Sequence, residues 1–194
     1  MKKQRRTYVC EKTPLYAAVE NADEECVQLL LANDGININA TSTVEKIERS
    51  GIKTINVETA FYYAVEEGDK DIIKLFLENK KLDVNCMNQS KEIYRRKMKE
   101  QTPLYLAVEK ENIEVIKMLL DDDRLNINVL NRLTHNKLIQ ERASLHLAVS
   151  KENVDVINLL LGVKGVDVNI KDEQGRKPEE YTSKEEIKQI LNDK

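Results

Sequence analysis

Apolar and polar positions recur along this chain in one pattern, laid down four times. In residues 102–128, TPLYLAVEKENIEVIKMLLDDDRLNIN, an apolar residue stands two places after the first, Ala-Val five and six places after it, and an apolar triplet sixteen to eighteen places after it, and Asn closes the unit. The same template fits residues 13–39, 59–85 and 143–169 without a gap. Agreement at fixed spacing in four copies is the signature of a repeat architecture.

Each unit predicts two short helices. Thr13-Pro14 and Thr102-Pro103 place an N-cap hydroxyl before a proline at the first helical position, where no amide donor is lost. Leu104, Ala107 and Val108 then follow at helical spacing, and the small residues Ala18, Ala64, Ala107 and Ala148 let a neighbouring helix approach. Asp23, Asp69, Asn112 and Asn153 are expected to cap a second helix, with Glu25, Asp71, Glu114 and Asp155 in its first turn, where the helix dipole favours a carboxylate. Val115, Ile116, Leu119 and Leu120 point inward, and Glu114 and Lys117 outward. A helix pair this small cannot bury its apolar stripe alone, so the copies must stack and share an elongated core.

These residues resemble the ankyrin repeat family: TPLY and SLHLA stand where the family has T-P-L-H-x-A, and the LLL triplet followed by Val-Asn or Ile-Asn also matches. The resemblance covers nearly the whole chain. It implies an all-α solenoid of stacked helix pairs with projecting β-hairpin fingers, and protein binding on the concave face. Residues 1–194 then form a single domain of four repeat cores (13–39, 59–85, 102–128, 143–169) with a C-terminal cap over 177–192. Two departures stand out. Tyr16, Tyr62 and Tyr105 replace the family's histidine, leaving the usual hydroxyl-to-imidazole hydrogen bond unsupported in three copies. The starts at 13, 59, 102 and 143 lie 46, 43 and 41 residues apart, against a family period of about 33.

The extra length lies in the connections. Residues 40–58 are rich in β-branched residues and predict a hairpin with its turn at Ser50-Gly51; a two-residue loop there sets Glu48 opposite Lys53 and Val44 opposite Val57, and a longer loop is the alternative. In residues 86–101, Asn88 to Ser90 is a candidate turn before Tyr94-Arg95-Arg96-Lys97-Met98-Lys99. Thr134 to Lys137 is expected to turn between Leu133 and Leu138, and the short fourth connection to turn at Asp172 and Gly175. Residues 1–12 look like the returning half of a finger. A last helix is expected from Ser183, with a Ser-x-x-Glu capping box to Glu186, apolar only at Ile187, Ile190 and Leu191 as suits a terminal cap.

The net charge of −3 hides a segregation: the four units sum to −11, and the N-terminal stretch with the three long connections to +9. Fingers are basic and helical bodies acidic. Glu20, Glu66, Glu109 and Ser150 share the slot after Ala-Val, which in the ankyrin resemblance faces the concave groove and would select a basic partner segment. Arg49, Tyr94, Arg95, Arg96, Lys97, Lys99, Arg132, His135 and Lys137 are the finger residues expected to contact a partner.

The chemistry of an enzyme is missing from the motifs. His146 occupies the repeat slot and His135 a hairpin tip, neither with a nucleophile or carboxylate at motif spacing. The sequence holds no phosphate-cradling glycine loop, Cys-x-x-Cys pair or His-Glu-x-x-His segment, and no cofactor or metal site is expected. Cys10, Cys26 and Cys86 share no ligand spacing, and Cys26, in the slot of Ile72, Val115 and Val156, is expected in the core. No apolar run reaches a membrane span. The expectation is a cytoplasmic, alternatively nuclear, monomeric and non-enzymatic module for binding another protein. The alternatives are an anion-binding module for RNA or an acidic or phosphorylated partner, and a scaffold segment of a longer array. Against RNA stand the sequence pI of about 5.6 and a single aromatic, Tyr94, among the finger bases, where stacking modules use several.

Overall fold

The computed structural model describes residues 11–47, 53–92 and 95–194. The helix pairs are α1 (Pro14–Glu20) with α2 (Glu24–Leu31), α3 (Ala60–Glu67) with α4 (Lys70–Glu78), α5 (Pro103–Glu109) with α6 (Ile113–Leu120), and α7 (Ser144–Ser150) with α8 (Val154–Leu161). A 3-10 turn at Pro178–Tyr181 and α9 (Glu185–Asn192) close the described array.

Local chemistry starts each helix where the sequence places it. The hydroxyls of Thr13, Thr59 and Thr102 accept from the amides of Tyr16, Tyr62 and Tyr105. The side chains of Asp23, Asp69, Asn112 and Asn153 accept from the amides of Cys26, Ile72, Val115 and Val156, answering donors that a helix start leaves orphaned. Between the two helices of each pair the chain passes through left-handed φ, at Ala22 (51°), Gly68 (75°), Glu111 (55°) and Glu152 (55°). Only copy two supplies the glycine that this conformation favours.

The first helices pack in the order α1, α3, α5, α7 and the second helices in the order α2, α4, α6, α8. One buried apolar cluster runs the length of this stack, from Leu15 to Leu191, and includes Leu104, Val108, Val115, Ile116 and Leu119. Cys26 corrects the expectation above, for it is exposed. Its counterparts Ile72, Val115 and Val156 are 0% exposed, and each lies on a helix that follows another second helix. Among the described residues α2 has a neighbouring second helix only on the α4 side, so a slot facing the preceding unit meets no helix there.

The three long connections form hairpins: β1 (Thr41–Ile47) with β2 (Lys53–Thr59), β3 (Asn88–Glu92) with β4 (Lys97–Gln101), and β5 (Asn131–His135) with β6 (Leu138–Arg142). Taken one connection at a time, they read as separate fingers. In the structure they also pair with one another, β2 with β3 and β4 with β5, giving one six-stranded antiparallel meander beside the helices. Glu11 bridges Thr43 on the outer side of β1, in keeping with a returning strand at that end; residues 1–10 lie outside the described residues.

Three local expectations are corrected. In the first hairpin Val44 lies opposite Asn56 and Lys53 opposite Ile47, one residue off the predicted register; the turn at Ser50-Gly51 lies outside the described residues. The register is set at the helix end, where Thr41 pairs with Thr59 and Ser42 with Glu58, rather than by an apolar pair along the strands. Asn88 to Ser90 is strand, not turn, because the Asn88 side chain points back to accept from the Thr59 amide at the start of α3; that hairpin turns at Arg95-Arg96, with Arg96 at φ 48°. The last helix starts at Glu185 behind Lys184 and has no side-chain cap; the Thr182 hydroxyl, not Ser183, accepts the Lys184 amide. The third hairpin turns as expected, at Asn136 (φ 49°) and Lys137 (φ 74°).

Two sets of polar contacts join the units. The Asn closing each unit uses both ends of its amide on the next: Asn39 donates to the Lys81 carbonyl (2.8 Å) and accepts from the Asp83 amide (2.9 Å), Asn85 does the same with Arg124 (2.9 Å) and Asn126 (2.7 Å), and Asn128 with Gly165 (2.8 Å) and Asp167 (2.9 Å). Arg124 also reaches the carbonyls of Leu77 (2.9 Å) and Asn79 (2.8 Å), at the end of α4. In the short fourth connection Asp172 accepts from the amides of Gln174 and Arg176, the Arg176 guanidinium and the Tyr181 hydroxyl. Burial alone would raise its carboxyl, but these donors outweigh burial and hold it well below the usual range.

Leu119→Ala, at the centre of the shared core, should lower unfolding free energy by about 2–5 kcal/mol, read by urea denaturation. Asn85→Ala should cost about 1–2 kcal/mol in the same assay, since it leaves a donor and an acceptor of the next unit unpaired. Ala22→Gly should raise stability by about 0.5–1 kcal/mol, because relief of left-handed strain exceeds the entropy that glycine adds to the unfolded chain.

Candidate partner-binding groove

Directly opposed residues of antiparallel strands share a face. The register therefore sets Ser42 beside Glu58, Asn88 beside Gln101 and Asn131 beside Arg142, in one polar row where the sheet meets the helices. The side-chain oxygens of Ser42, Asn88 and Asn131 accept from the amides of Thr13, Thr59 and Thr102 at 2.9, 2.7 and 2.6 Å, each pair 29 residues apart. Glu58 accepts from the Tyr16 hydroxyl at 2.7 Å and Gln101 from the Tyr62 hydroxyl at 3.3 Å.

The tyrosines that replace histidine thus reach forward from a first helix to the strand entering the next unit. Burial raises the pKa of Tyr16 and of Tyr62, and the bond to Glu58 adds to it for Tyr16; the pKa of Tyr105, beside Glu109, is pushed up to about 12 mainly by burial. All three stay protonated near neutrality, and the two bonded phenols act as donors.

Copy four, whose connection is short, keeps the family's histidine. His146 Nδ1 accepts from the Ala143 amide (3.2 Å), so Nε2 carries the proton and donates to the Arg176 carbonyl (3.1 Å). Burial lowers the pKa of this ring, which holds it neutral. Tyrosine accompanies a long finger and histidine a short one.

Between the helix-facing side of β2 to β4 and the helices α3 and α5 lies a cleft of about 420 Å³. Asn56, Ser90, Glu92 and Lys97 line its strand wall, and Tyr62, Glu66, Glu109 and Lys110 its helix wall. A smaller hollow of about 50 Å³ lies one unit further on, between Tyr105, Arg132 and Arg142. A third, of about 380 Å³, opens at the fingertips and brings Arg95, Lys97 and His135 together with Leu133 and Leu138.

The residues singled out from the sequence divide accordingly. Arg49 and Tyr94 lie outside the described residues. Arg95, Arg96, His135 and Lys137 are exposed at the tips. Lys97 lies 3.4 Å from Glu92, Lys99 2.8 Å from Glu109, and Arg132 2.6 Å from Glu141 and 3.6 Å from Glu100. Half of the basic finger charge is therefore answered within the sheet or by the helix beneath it. Of the shared acidic slot, Glu66 and Glu109 line the cleft, Glu20 pairs with Lys12, and the Ser150 hydroxyl donates to the Leu147 carbonyl of its own helix.

Asn56, Ser90, Glu92 and Lys110 belong to the cleft and escaped the sequence reading. In Ile55-Asn56-Val57 the alternation points the apolar pair toward a core and Asn56 toward solvent. The structure reverses this: Asn56 is 6% exposed while Ile55 and Val57 are half-buried on the far face, because the finger faces a polar cleft and not the apolar core. The offset of 29 residues between each helix start and its strand cap was visible in the sequence, and from Ala143 it lands on Asp172. Among the described residues no three His, Cys, Asp or Glu side chains are grouped as a metal ion would require, and no helix is long and apolar enough to cross a membrane.

A family model described as ankyrin repeats (3 copies) matches residues 40–131 and 61–172, and one described as ankyrin repeat matches residues 10–43. The fold is similar to the crystal structure of the ankyrin repeat domain of Bcl-3, described as a unique member of the IkappaB protein family, with a TM-score of 0.67 and 20% identity over 93% of this chain and 68% of that one. It is also similar to that of EF0377, an ankyrin repeat protein, with a TM-score of 0.62 and 25% identity over 95% of this chain and 80% of that one. No curated protein matches the chain. Stacked helix pairs, a shared core and family matches spanning more than half of its length agree, and the chain belongs to the ankyrin repeat family.

Proposed function

We propose that this array binds an extended segment of a partner protein in the groove between its sheet and its first helices, and does no chemistry on it. Ankyrin repeats are in general protein-interaction modules. The observation that carries the reading here is the cleft of about 420 Å³ between two walls of different make, a polar strand wall and a helix wall bearing Glu66 and Glu109. Both walls belong to elements fixed by buried hydrogen bonds, so little ordering cost remains to be met on binding. The fingertips carry Arg95, Arg96 and Lys137, exposed and without an ion pair among the described residues. They would steer an acidic flank of the same partner, while the cleft receives its basic portion.

A partner captured on the immobilised array should bind at least about tenfold more weakly after Glu66→Lys with Glu109→Lys, if the groove takes the basic portion. Reversing Arg95, Arg96 and Lys137 to Glu should mainly slow association and weaken its salt dependence, read by surface plasmon resonance. Unchanged binding in both variants would place the contact elsewhere on the array.

A further inference from the structure

We propose that the cleft beneath the second hairpin is a receptor for one arginine side chain of the partner segment, an assignment that rests on the groove reading above. Asn56 lines this cleft, is 6% exposed, and its Oδ1 has no hydrogen-bond partner among the described residues. Glu92 on the neighbouring strand leaves its Oε2 in the same condition, while its Oε1 lies 3.4 Å from Lys97 Nζ. Asn56 is opposite Ser90 and Thr54 is opposite Glu92, so the two acceptors belong to diagonal neighbours on one face, about 7–8 Å apart at the backbone. A covered acceptor without a donor bears its full desolvation penalty. What these two acceptors lack is a donor.

The lysines of the cleft are already engaged. Lys99 pairs with Glu109 at 2.8 Å, and Lys110 donates to the backbone carbonyl of Glu66 at 2.6 Å. Glu92, whose Oε2 lacks a donor, and Glu109 line the same cleft, a setting that favours a cationic donor over a neutral one. A guanidinium carries five N–H donors in one plane and can serve acceptors on adjacent strands together. An ammonium is a compact, more strongly hydrated point charge and loses more on leaving water.

The test uses a probe that is not the partner. The ¹⁵N-labelled array is titrated with N-acetyl-arginine amide, N-acetyl-lysine amide and N-acetyl-citrulline amide, and followed at the Asn56 side-chain amide and the backbone amides of Ser90 and Lys99. The arginine probe should give saturable shifts confined to the cleft, the lysine probe a response at least about fivefold weaker, and the uncharged citrulline probe none. Asn56→Leu and Glu92→Gln should each weaken the arginine response about tenfold. The thermal midpoint of Asn56→Leu should hold or rise, since an unpaired acceptor is replaced by an apolar group of similar shape. If Asn56→Leu instead loses its midpoint, the Glu92→Gln titration decides alone.

No saturable response to arginine, an equal response to citrulline, a lysine response as strong as that to arginine, or full affinity retained in Glu92→Gln would each overturn the assignment. Because the probe needs no partner, such a failure is distinct from failure of the groove reading, which the charge reversals of a captured partner test separately.

Discussion

A phenol hydroxyl reaching from the first helix of one unit to the finger strand of the next is the contact on which the rest of this array depends. Tyr16 to Glu58 and Tyr62 to Gln101 are buried bonds across 42 and 39 residues. Each acceptor sits immediately before the threonine that caps the following helix, so the bond fixes both the strand and the helix start behind it. Beside it, Ser42, Asn88 or Asn131 covers the amide of the preceding threonine. A buried polar group without its partner costs more than an ordinary hydrogen bond contributes, which makes this row intolerant of slippage. The register of the whole meander follows from it.

The apolar core does a different task. Its residues lie along helices only seven to nine residues long, too short to persist alone in water, and become stable by stacking into one cluster from end to end. Hydrophobic burial is non-directional and sets how closely pairs approach without fixing how a finger leaves them. Direction comes from the polar row at one edge and from Asn39, Asn85 and Asn128 at the other, whose amides pair with the following unit in both donor and acceptor roles. Each unit is gripped at two edges around an apolar middle, and nearest neighbours are thereby coupled.

The groove is a by-product of the same arrangement. A row of bonds at the helix end holds the strands beside the first helices, and beyond that row the two walls diverge, leaving Asn56, Glu92, Lys97, Glu66 and Glu109 around open space. Neither wall can shift far without breaking the buried bonds behind it. A cleft of mixed charge with covered acceptors thus keeps its shape on a scaffold whose stability comes from elsewhere.

Much of this was present in the residues taken alone. Helix pairs, their threonine and Asp or Asn caps, the shared core of Leu104, Val115 and Leu119, and the places where long connections interrupt the repeat follow from the sequence, since they rest on interactions within one or two helical turns or on spacing that recurs. Tertiary structure decided the rest. The register of the first hairpin, the burial of Asn56 and not Ile55, the forward reach of the tyrosines, the exposure of Cys26 and the joining of three hairpins into one sheet depend on what stands opposite each residue. The tyrosine and threonine contacts behind that register join residues 29 to 42 positions apart. A strand presents either face with equal ease until something across from it is fixed, and here the fixing groups are single polar atoms on another unit.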